Sequence, residues 1–322
     1  MGQKEKEEIN IYHSTIQTLI ISGKDIAAQL RSDMQQQVEA MAAEYGRTPC
    51  LVVIQVGNDP ASTIYVRNKM RAAEFCHIRS QHLLLPDSIS EQDLCAHIAE
   101  LNADNDVDGI LVQLPLPQHI DEEHVIRAIL AEKDVDGFHP ANAAHLWLHQ
   151  PLVKSHVASI YNPVPDYGCT IPCTPKGILS LLASTGVELD GKRAVMVGRS
   201  DIVGKPMAKL LMDRQCTVTV AHSHTRDLPA VCREADILIV AVGKPKLITK
   251  DCIKPGAVVI DVGINRLPDG TLSGDVDFAE CKDIAGFITP VPGGVGPMTV
   301  TMLMQNTIDC FRRRMLQGKE KS

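Results

Sequence analysis

Four polar side chains stand where an α/β chain keeps its chemistry. Tyr65 and Lys69 are four residues apart in Tyr65-Val66-Arg67-Asn68-Lys69, so on a helix they share a face. Val66, Met70 and Ala73 form a separate apolar stripe for the core. Gln113 interrupts the apolar run Ile110-Leu111-Val112-Gln113-Leu114, and Asp136 ends Asp134-Val135-Asp136 just before Gly137. Ligands of open parallel sheets bind beyond the carboxyl ends of strands, which predicts that Gln113 and Asp136 converge on the Tyr65/Lys69 helix. A lysine brings an amine with three rotatable donors to that point. A glutamine can hydrogen-bond that amine without adding charge, and a carboxylate offers two acceptors. Taken singly, each has a blander reading: an exposed Tyr–Lys pair, a glutamine satisfied by backbone, an aspartate bracing its own turn.

A second constellation concerns a nucleotide. The apolar strand Ala194–Gly198 runs into Arg199-Ser200-Asp201-Ile202-Val203-Gly204 and then a helix. A strand, glycine turn and helix offer backbone N–H groups and a helix dipole to a pyrophosphate. The spacing departs from G-x-G-x-x-G, because Ser200 replaces the second glycine and Gly204 comes one residue late; alone it is compatible with a ligand-free turn. The next strand ends Ala221-His222-Ser223 without a carboxylate, whereas NAD sites place an acid there for the ribose. Arg199 and Ser223 suit a 2′-phosphate instead, so the expected cofactor is NADP. Near the C-terminus, Pro290-Val291-Pro292-Gly293-Gly294-Val295-Gly296-Pro297-Met298-Thr299 is a turn that allows close backbone approach to a ligand. His145 and His149 have i, i+4 spacing but no third ligand in view, so no metal is expected.

The elements that must position these residues alternate strand and helix twice. A helix from Lys24 to about Glu44, a strand Cys50–Val56, a helix opened by Asp59 and Pro60, a strand His82–Leu85, a helix striped by Leu94, Ile98 and Leu101, a strand Gly109–Leu114 and a helix from Glu122 to about Ala131 make the first series. Residues 1–22 read as a polar arm. From about Trp147 to Thr170 the pattern breaks, with prolines and no period. The second series opens with a helix at Thr174. Strands Ala194–Gly198, Thr217–Ala221, Asp236–Val242, Ala257–Val262 and Gly286–Thr289 follow, with a helix Gly204–Asp213. A final helix runs from about Met298 to Arg314. Asn265–Gly274 carries an Asp-Gly turn and reads as a hairpin, a candidate for isologous contact in a homodimer. The chain length of 322 residues suits two domains. Aromatics make up only 3%, so the cores must be aliphatic, as in buried parallel sheets. A net charge of −7 argues against nucleic-acid or anionic-membrane partners, and no apolar run reaches a membrane span. The ten cysteines include no C-x-x-C and read as reduced core residues. The N-terminus lacks the apolar core of a signal peptide, and the expected location is cytoplasmic.

Seven segments in order carry a resemblance: Y-V-R-N-K, V-Q-L-P-L-P, K-D-V-D-G, P-C-T-P-K-G, G-R-S-D-I-V-G-K-P, G-A-V-V-I-D-V-G-I-N and T-P-V-P-G-G-V-G-P-M-T. From Ser22 to about Phe311 the chain resembles the bifunctional methylenetetrahydrofolate dehydrogenase/methenyltetrahydrofolate cyclohydrolase, or FolD, family. The resemblance implies two three-layer α/β domains. Residues 1–173 and 298–322 would form a folate-binding catalytic domain with a parallel sheet, to which the last helix returns; residues 174–297 would form an NADP-binding Rossmann domain. It implies NADP-dependent oxidation of 5,10-methylenetetrahydrofolate to the methenyl cation and hydrolysis to 10-formyltetrahydrofolate, in one-carbon metabolism. Lys69 would be the catalytic group, Gln113 its modulator, Tyr65 a stacking platform and Asp136 the pterin anchor, with Leu114, Gly296 and Pro297 also lining the folate site. Gly198, Arg199, Ser200, Gly204, His222, Ser223, Val242, Gly243 and Ile264 would hold NADP. The partners implied are tetrahydrofolate derivatives and a second copy of the chain. Two departures from the family pattern stand out, a longer N-terminal arm and an insertion at 147–170. Another Rossmann dehydrogenase, or a non-catalytic folate-binding relative, are the rival readings.

Overall fold

The structure, a computed structural model, describes residues 17–149 and 166–320. The first half comprises β1 (Leu19–Ile20), α1 (Gly23–Tyr45), β2 (Cys50–Val56), α2 (Pro60–Phe75), β3 (Arg79–Leu85), α3 (Glu91–Ala103), β4 (Gly109–Val112), α4 (Glu122–Ala128) and α5 (Pro140–Leu148). The second half comprises α6 (Cys173–Ser184), β5 (Arg193–Val197), α7 (Gly204–Asp213), β6 (Thr217–Ala221), α8 (Leu228–Arg233), β7 (Ile237–Val240), β8 (Val258–Asp261), β9 (Asn265–Arg266), β10 (Leu272–Ser273), α9 (Phe278–Cys281), β11 (Phe287–Ile288) and α10 (Val295–Glu320).

In the smaller sheet, of order β3-β2-β4, all strands are parallel. Every residue of β2 is buried, and alternation sends its two faces to different partners. Cys50, Val52 and Ile54 meet Leu94 and Ile98 of α3 and Val125 of α4. Leu51 and Val53 face the core shared with Met34 of α1, Val66 of α2 and Phe311 of α10. The larger sheet has the order β1-β11-β8-β7-β5-β6, also all parallel. Its inner strands β5, β7 and β8 are likewise covered on both sides, while β1 and β6 are largely exposed.

Helix ends follow local chemistry. Ser22 accepts a bond from Asp25 N to open α1, and Gly46, at φ 72°, closes it with its N–H on Ala42 O. Asp59 Oδ2 accepts from Ser62 N at 2.7 Å, with Pro60 in the first turn of α2. The last helix returns to the first half, packing on α1 and α2 as well as on α6. There, fully buried Asp108 accepts from Arg47 Nη1 at 2.7 Å, Arg47 Nη2 at 2.9 Å, Arg314 Nη1 at 2.8 Å and Cys50 N at 2.9 Å. A buried carboxylate held by two guanidinium groups and an amide is fully compensated.

The structure revises several sequence expectations. The described end of the polar arm forms β1, which adds to the larger sheet beside β11. Thr18 Oγ1 donates to Ala285 O at 2.6 Å, and Leu19 N to Gly286 O at 2.9 Å. Two residues carry no periodic signal, so backbone pairing alone defines this strand. The final helix begins at Val295 and reaches Glu320, longer at both ends than expected. The strand expected to reach Leu114 stops at Val112, with Gln113 N making the last bond to the sheet at Ile54 O. Helices α5, α8 and α9 were not foreseen; all are short, and the first two open on a His or Asp cap with a proline in the first turn. The start of the expected 147–170 insertion belongs to α5, and most of the remainder lies outside the described residues. Its far end returns as Tyr167, whose buried hydroxyl donates to Asp213 on α7. The 265–274 hairpin is present, with β9 and β10 antiparallel.

Candidate active site

The helix α2 and the end of β4 bring the first group together. Lys69 Nζ donates to Gln113 Oε1 at 3.0 Å, and Gln113 Nε2 donates to Leu114 O at 2.7 Å. The glutamine backbone is still held to the sheet, with Gln113 N on Ile54 O at 2.8 Å. Gln113 thus bonds both backbone and lysine, and its amide orientation is locked. Tyr65, one turn earlier on α2, is 43% exposed, which leaves its ring free to meet a flat ligand.

Asp136 stands close enough to Lys69 for the ammonium to oppose part of its pKa shift. Burial nevertheless pushes the Asp136 carboxyl up to about 6, with Asp134 adding to the rise. The turn before Gly137 is braced by Asp134, not by Asp136. Asp134 Oδ1 accepts from Gly137 N at 3.0 Å, while Oδ2 accepts from His139 N at 2.8 Å and Asn142 Nδ2 at 2.9 Å. The bland reading of Asp136 therefore belongs to its neighbour. The near contact of Asp136 is the Cys173 thiol, 3.9 Å from Oδ1. Leu114 and Asp136 line one small hollow with Ile126 and Phe138.

The second group gathers around the larger sheet. Gly198 has φ 125°, and a Cβ there would stand 2.2 Å from Ala241 O. A Cβ on Gly204 would stand 2.4 Å from Gly198 O. These two glycines let helix and strand close on each other. Ser200 Oγ accepts from Val203 N at 3.2 Å and Gly204 N at 3.3 Å, and Ser200 O accepts from Lys205 N at 3.0 Å. The helix end is thus largely satisfied from within. The amides that make no hydrogen bond among the described residues are those of Arg199 to Ile202 in the turn itself. Arg199 and Ser223 are exposed, and His222 is half-buried with its Nδ1 accepting from His224 N at 3.2 Å. The Gly243 position is open, with φ 65° and nothing within 4 Å of a Cβ. These free amides, the open glycine and the exposed guanidinium fit a dinucleotide phosphate.

The amides of Val242 and Gly243 are already used. Both donate to Asp275 Oδ2, at 2.7 and 3.0 Å, so these two residues can meet a cofactor only through other atoms. Asp275 Oδ1 accepts from Asn265 Nδ2 at 2.9 Å. Its neighbour Asp261 accepts from Gly263 N, Asp275 N and Val276 N, and burial still lifts its carboxyl to about 6. The sequence reading missed this buried pair; the signal was an acid within two residues of a glycine in both Asp261-Val262-Gly263 and Gly274-Asp275.

Ile264, Gly296 and Pro297 line a single cavity of about 140 Å³ with Asp261, Leu272 and the Pro290–Gly294 turn. Ile264 Cδ1 would be 3.6 Å from a Cβ on Gly296. Residues expected to hold cofactor and residues expected to hold substrate therefore meet here. Helix α10, which starts at this turn, also packs on α2. His145 and His149 stack with centroids 4.0 Å apart, and no cluster of potential metal ligands occurs among the described residues.

Comparison with known proteins agrees in both halves. Residues 21–136 match the tetrahydrofolate dehydrogenase/cyclohydrolase catalytic domain, and residues 172–315 match the corresponding NAD(P)-binding domain. The chain is 51% identical over 298 residues to the bifunctional protein FolD of Streptococcus equi subsp. zooepidemicus, covering 92% of this chain and 99% of that one. The Campylobacter jejuni FolD structure superposes with a TM-score of 0.84 at 41% identity, over 92% of this chain and 99% of that one. The Trypanosoma brucei enzyme, complexed with NADP cofactor and inhibitor, gives 0.83 at 37% identity, over 92% and 98%.

Proposed function

The chain belongs to the tetrahydrofolate dehydrogenase/cyclohydrolase family, and from that premise we propose which of its residues perform the two reactions. The enzyme oxidises 5,10-methylenetetrahydrofolate to 5,10-methenyltetrahydrofolate and hydrolyses that product to 10-formyltetrahydrofolate. NADP supplies the hydride acceptor.

Lys69 is the acid/base. Loss of hydride leaves a cationic methenyl carbon, which a fixed ammonium would oppose and a neutral amine would not. The amine takes a proton from the attacking water, a C–O bond forms, and the lysine then returns a proton to the nitrogen as the C–N bond breaks. Gln113 holds that amine through a neutral oxygen. Asp136 accepts the amino and N–H edge of the pterin as a carboxylate, and Tyr65 offers its ring to the folate. Leu114, Gly296 and Pro297 complete the substrate wall. On the cofactor side, Arg199 and Ser223 read the 2′-phosphate, His222, Ser200 and the 198–204 turn border the phosphates, and Val242, Gly243 and Ile264 flank the path to the cavity. The single observation that carries the assignment is the 3.0 Å bond between Lys69 Nζ and Gln113 Oε1 at a strand end beside Asp136. We infer that the protein works as a homodimer; no described helix is long and apolar enough to cross a membrane.

Lys69→Met keeps the stem and removes the proton carrier. Hydrolysis, followed by decay of methenyl absorbance, should fall by about a hundredfold or more, while part of the dehydrogenase activity survives. Hydrolysis at the parental rate would show that another group does the work.

A further inference from the structure

Asn306 lies on α10 among the buried apolar residues Met302, Leu303 and Cys310, and is itself 1% exposed. Its amide is fully used. Nδ2 donates to Val135 O at 2.8 Å and to Ile171 O at 2.9 Å, and Oδ1 accepts from Lys176 Nζ at 2.9 Å. Nδ2 also lies 3.4 Å from Cys173 Sγ, and these partners belong to three segments: the turn that presents Asp136, the crossover that leaves the first half of the chain, and helix α6. The turn and the crossover also touch directly, since a Cβ on Gly137 would be 2.6 Å from Pro172 N. Asp134 grips the same turn from within through Gly137 N and His139 N. Asp136 makes no bond to the backbone among the described residues and meets only the Cys173 thiol, 3.9 Å from Oδ1, so the direction of its carboxylate follows from how this turn and the start of α6 are held.

We propose that Asn306 is a positioning residue: it fixes the Asp136 turn and the crossover to one point on α10, and so sets the folate in register with the NADP-binding half. The proposal rests on Asp136 as the pterin anchor. The two reactions place different demands on that register. Hydride transfer joins a carbon held by one half to an acceptor held by the other. Hydrolysis brings water to the same bound folate, and the groups that act on it there, Lys69 and Gln113, both stand on the first half. A displacement on the order of 1 Å in a reacting pair costs up to about a hundredfold in rate, so loosening the clamp should cost the dehydrogenase more than the cyclohydrolase. An asparagine that merely satisfied two buried carbonyls would lower stability and leave the ratio of the two activities alone.

The test compares Asn306→Asp and Asn306→Ala with the parent enzyme. The first is isosteric, removes both amide donors and keeps an acceptor for Lys176. Both kcat values, both KM values and the thermal midpoint are measured. Dehydrogenase kcat should fall about tenfold or more, with cyclohydrolase kcat within about threefold. Folate KM should rise and NADP KM should hold. Parallel loss of the two kcat values, or a lower midpoint with an unchanged ratio, would overturn the proposal. Asp136→Asn, assayed beside them by folate titration, separates the two readings. Full folate affinity in that variant removes the pterin anchor, and the proposal with it. Lost affinity there, next to an unchanged activity ratio at position 306, removes only the positioning role. Should neither 306 variant be soluble, hydrogen exchange of the parent with 5-formyltetrahydrofolate decides. Protection gained together at 134–137 and 169–173 supports the clamp, and gain confined to 134–137 refutes it.

Discussion

At the scale of single residues, the division of labour between Asp134 and Asp136 matters most. Two carboxylates two positions apart have opposite duties: one is consumed by backbone amides, the other faces the cleft near Lys69. Burial lifts the Asp136 carboxyl from 3.8 to about 6. With the folded pKa above the unfolded one, its contribution to stability is fully present below about pH 3.8 and is lost as pH rises through about 6. Function runs the other way, because only the ionised form accepts both donors of a pterin edge. Folate affinity, followed by titration between pH 8 and 5, should be flat above about 6. It should then weaken by up to about tenfold per pH unit below that value. Asp136→Asn should bind weakly at every pH with no inflection. A parental profile without a break near 6 would count against the anchor.

At the scale of elements, the turn 198–204 is built by what it leaves out. Gly198 combines a positive φ with a Cβ position 2.2 Å from Ala241 O, whereas Gly243 has a positive φ in open space. Gly243→Ala should therefore cost only backbone strain, about 1–2 kcal/mol. Gly198→Ala adds a clash with backbone and should cost about 1–3 kcal/mol more, with a raised KM for NADP. Equal losses in denaturant midpoint for the two variants would mean that β5 and β7 can part without penalty. The same close packing explains why the glycine spacing departs from the usual fingerprint. Ser200 does not give up a contact to the backbone; its hydroxyl and carbonyl hold the helix end, and the free amides move into the turn.

At the scale of the whole molecule, the chain passes between its halves more than once. It leaves the larger sheet after β1, enters α1, crosses near 171–173 and returns through α10. Gly23 marks the first passage, where a Cβ would overlap Gly294 O at 1.8 Å. The turn of the β9–β10 hairpin, residues 268–271, is exposed, and the hairpin is tethered at its base by Asn265 to Asp275. A homodimer joined there predicts a light-scattering mass of twice the 35.1 kDa chain at micromolar concentration. A single 35.1 kDa species would reject it.

Much of this was legible in the amino-acid order alone. The helix α2 follows from its Asp59 cap, and β2 and the 204–213 helix from apolar residues set between turn signals, all of which act over a few residues. The meeting of Lys69 with Gln113 followed from the rule that parallel strands present their carboxyl ends together. Tertiary structure decided what depends on distant partners. β1 exists only because β11 offers an edge. Asp134 rather than Asp136 braces the turn because His139 and Asn142 arrive beside it. Asn306 interrupted an apolar stripe in plain view, yet its meaning depends on carbonyls 135 and 171 residues away in sequence. A side chain's type is written locally; the groups that satisfy it when water is excluded are supplied by the fold.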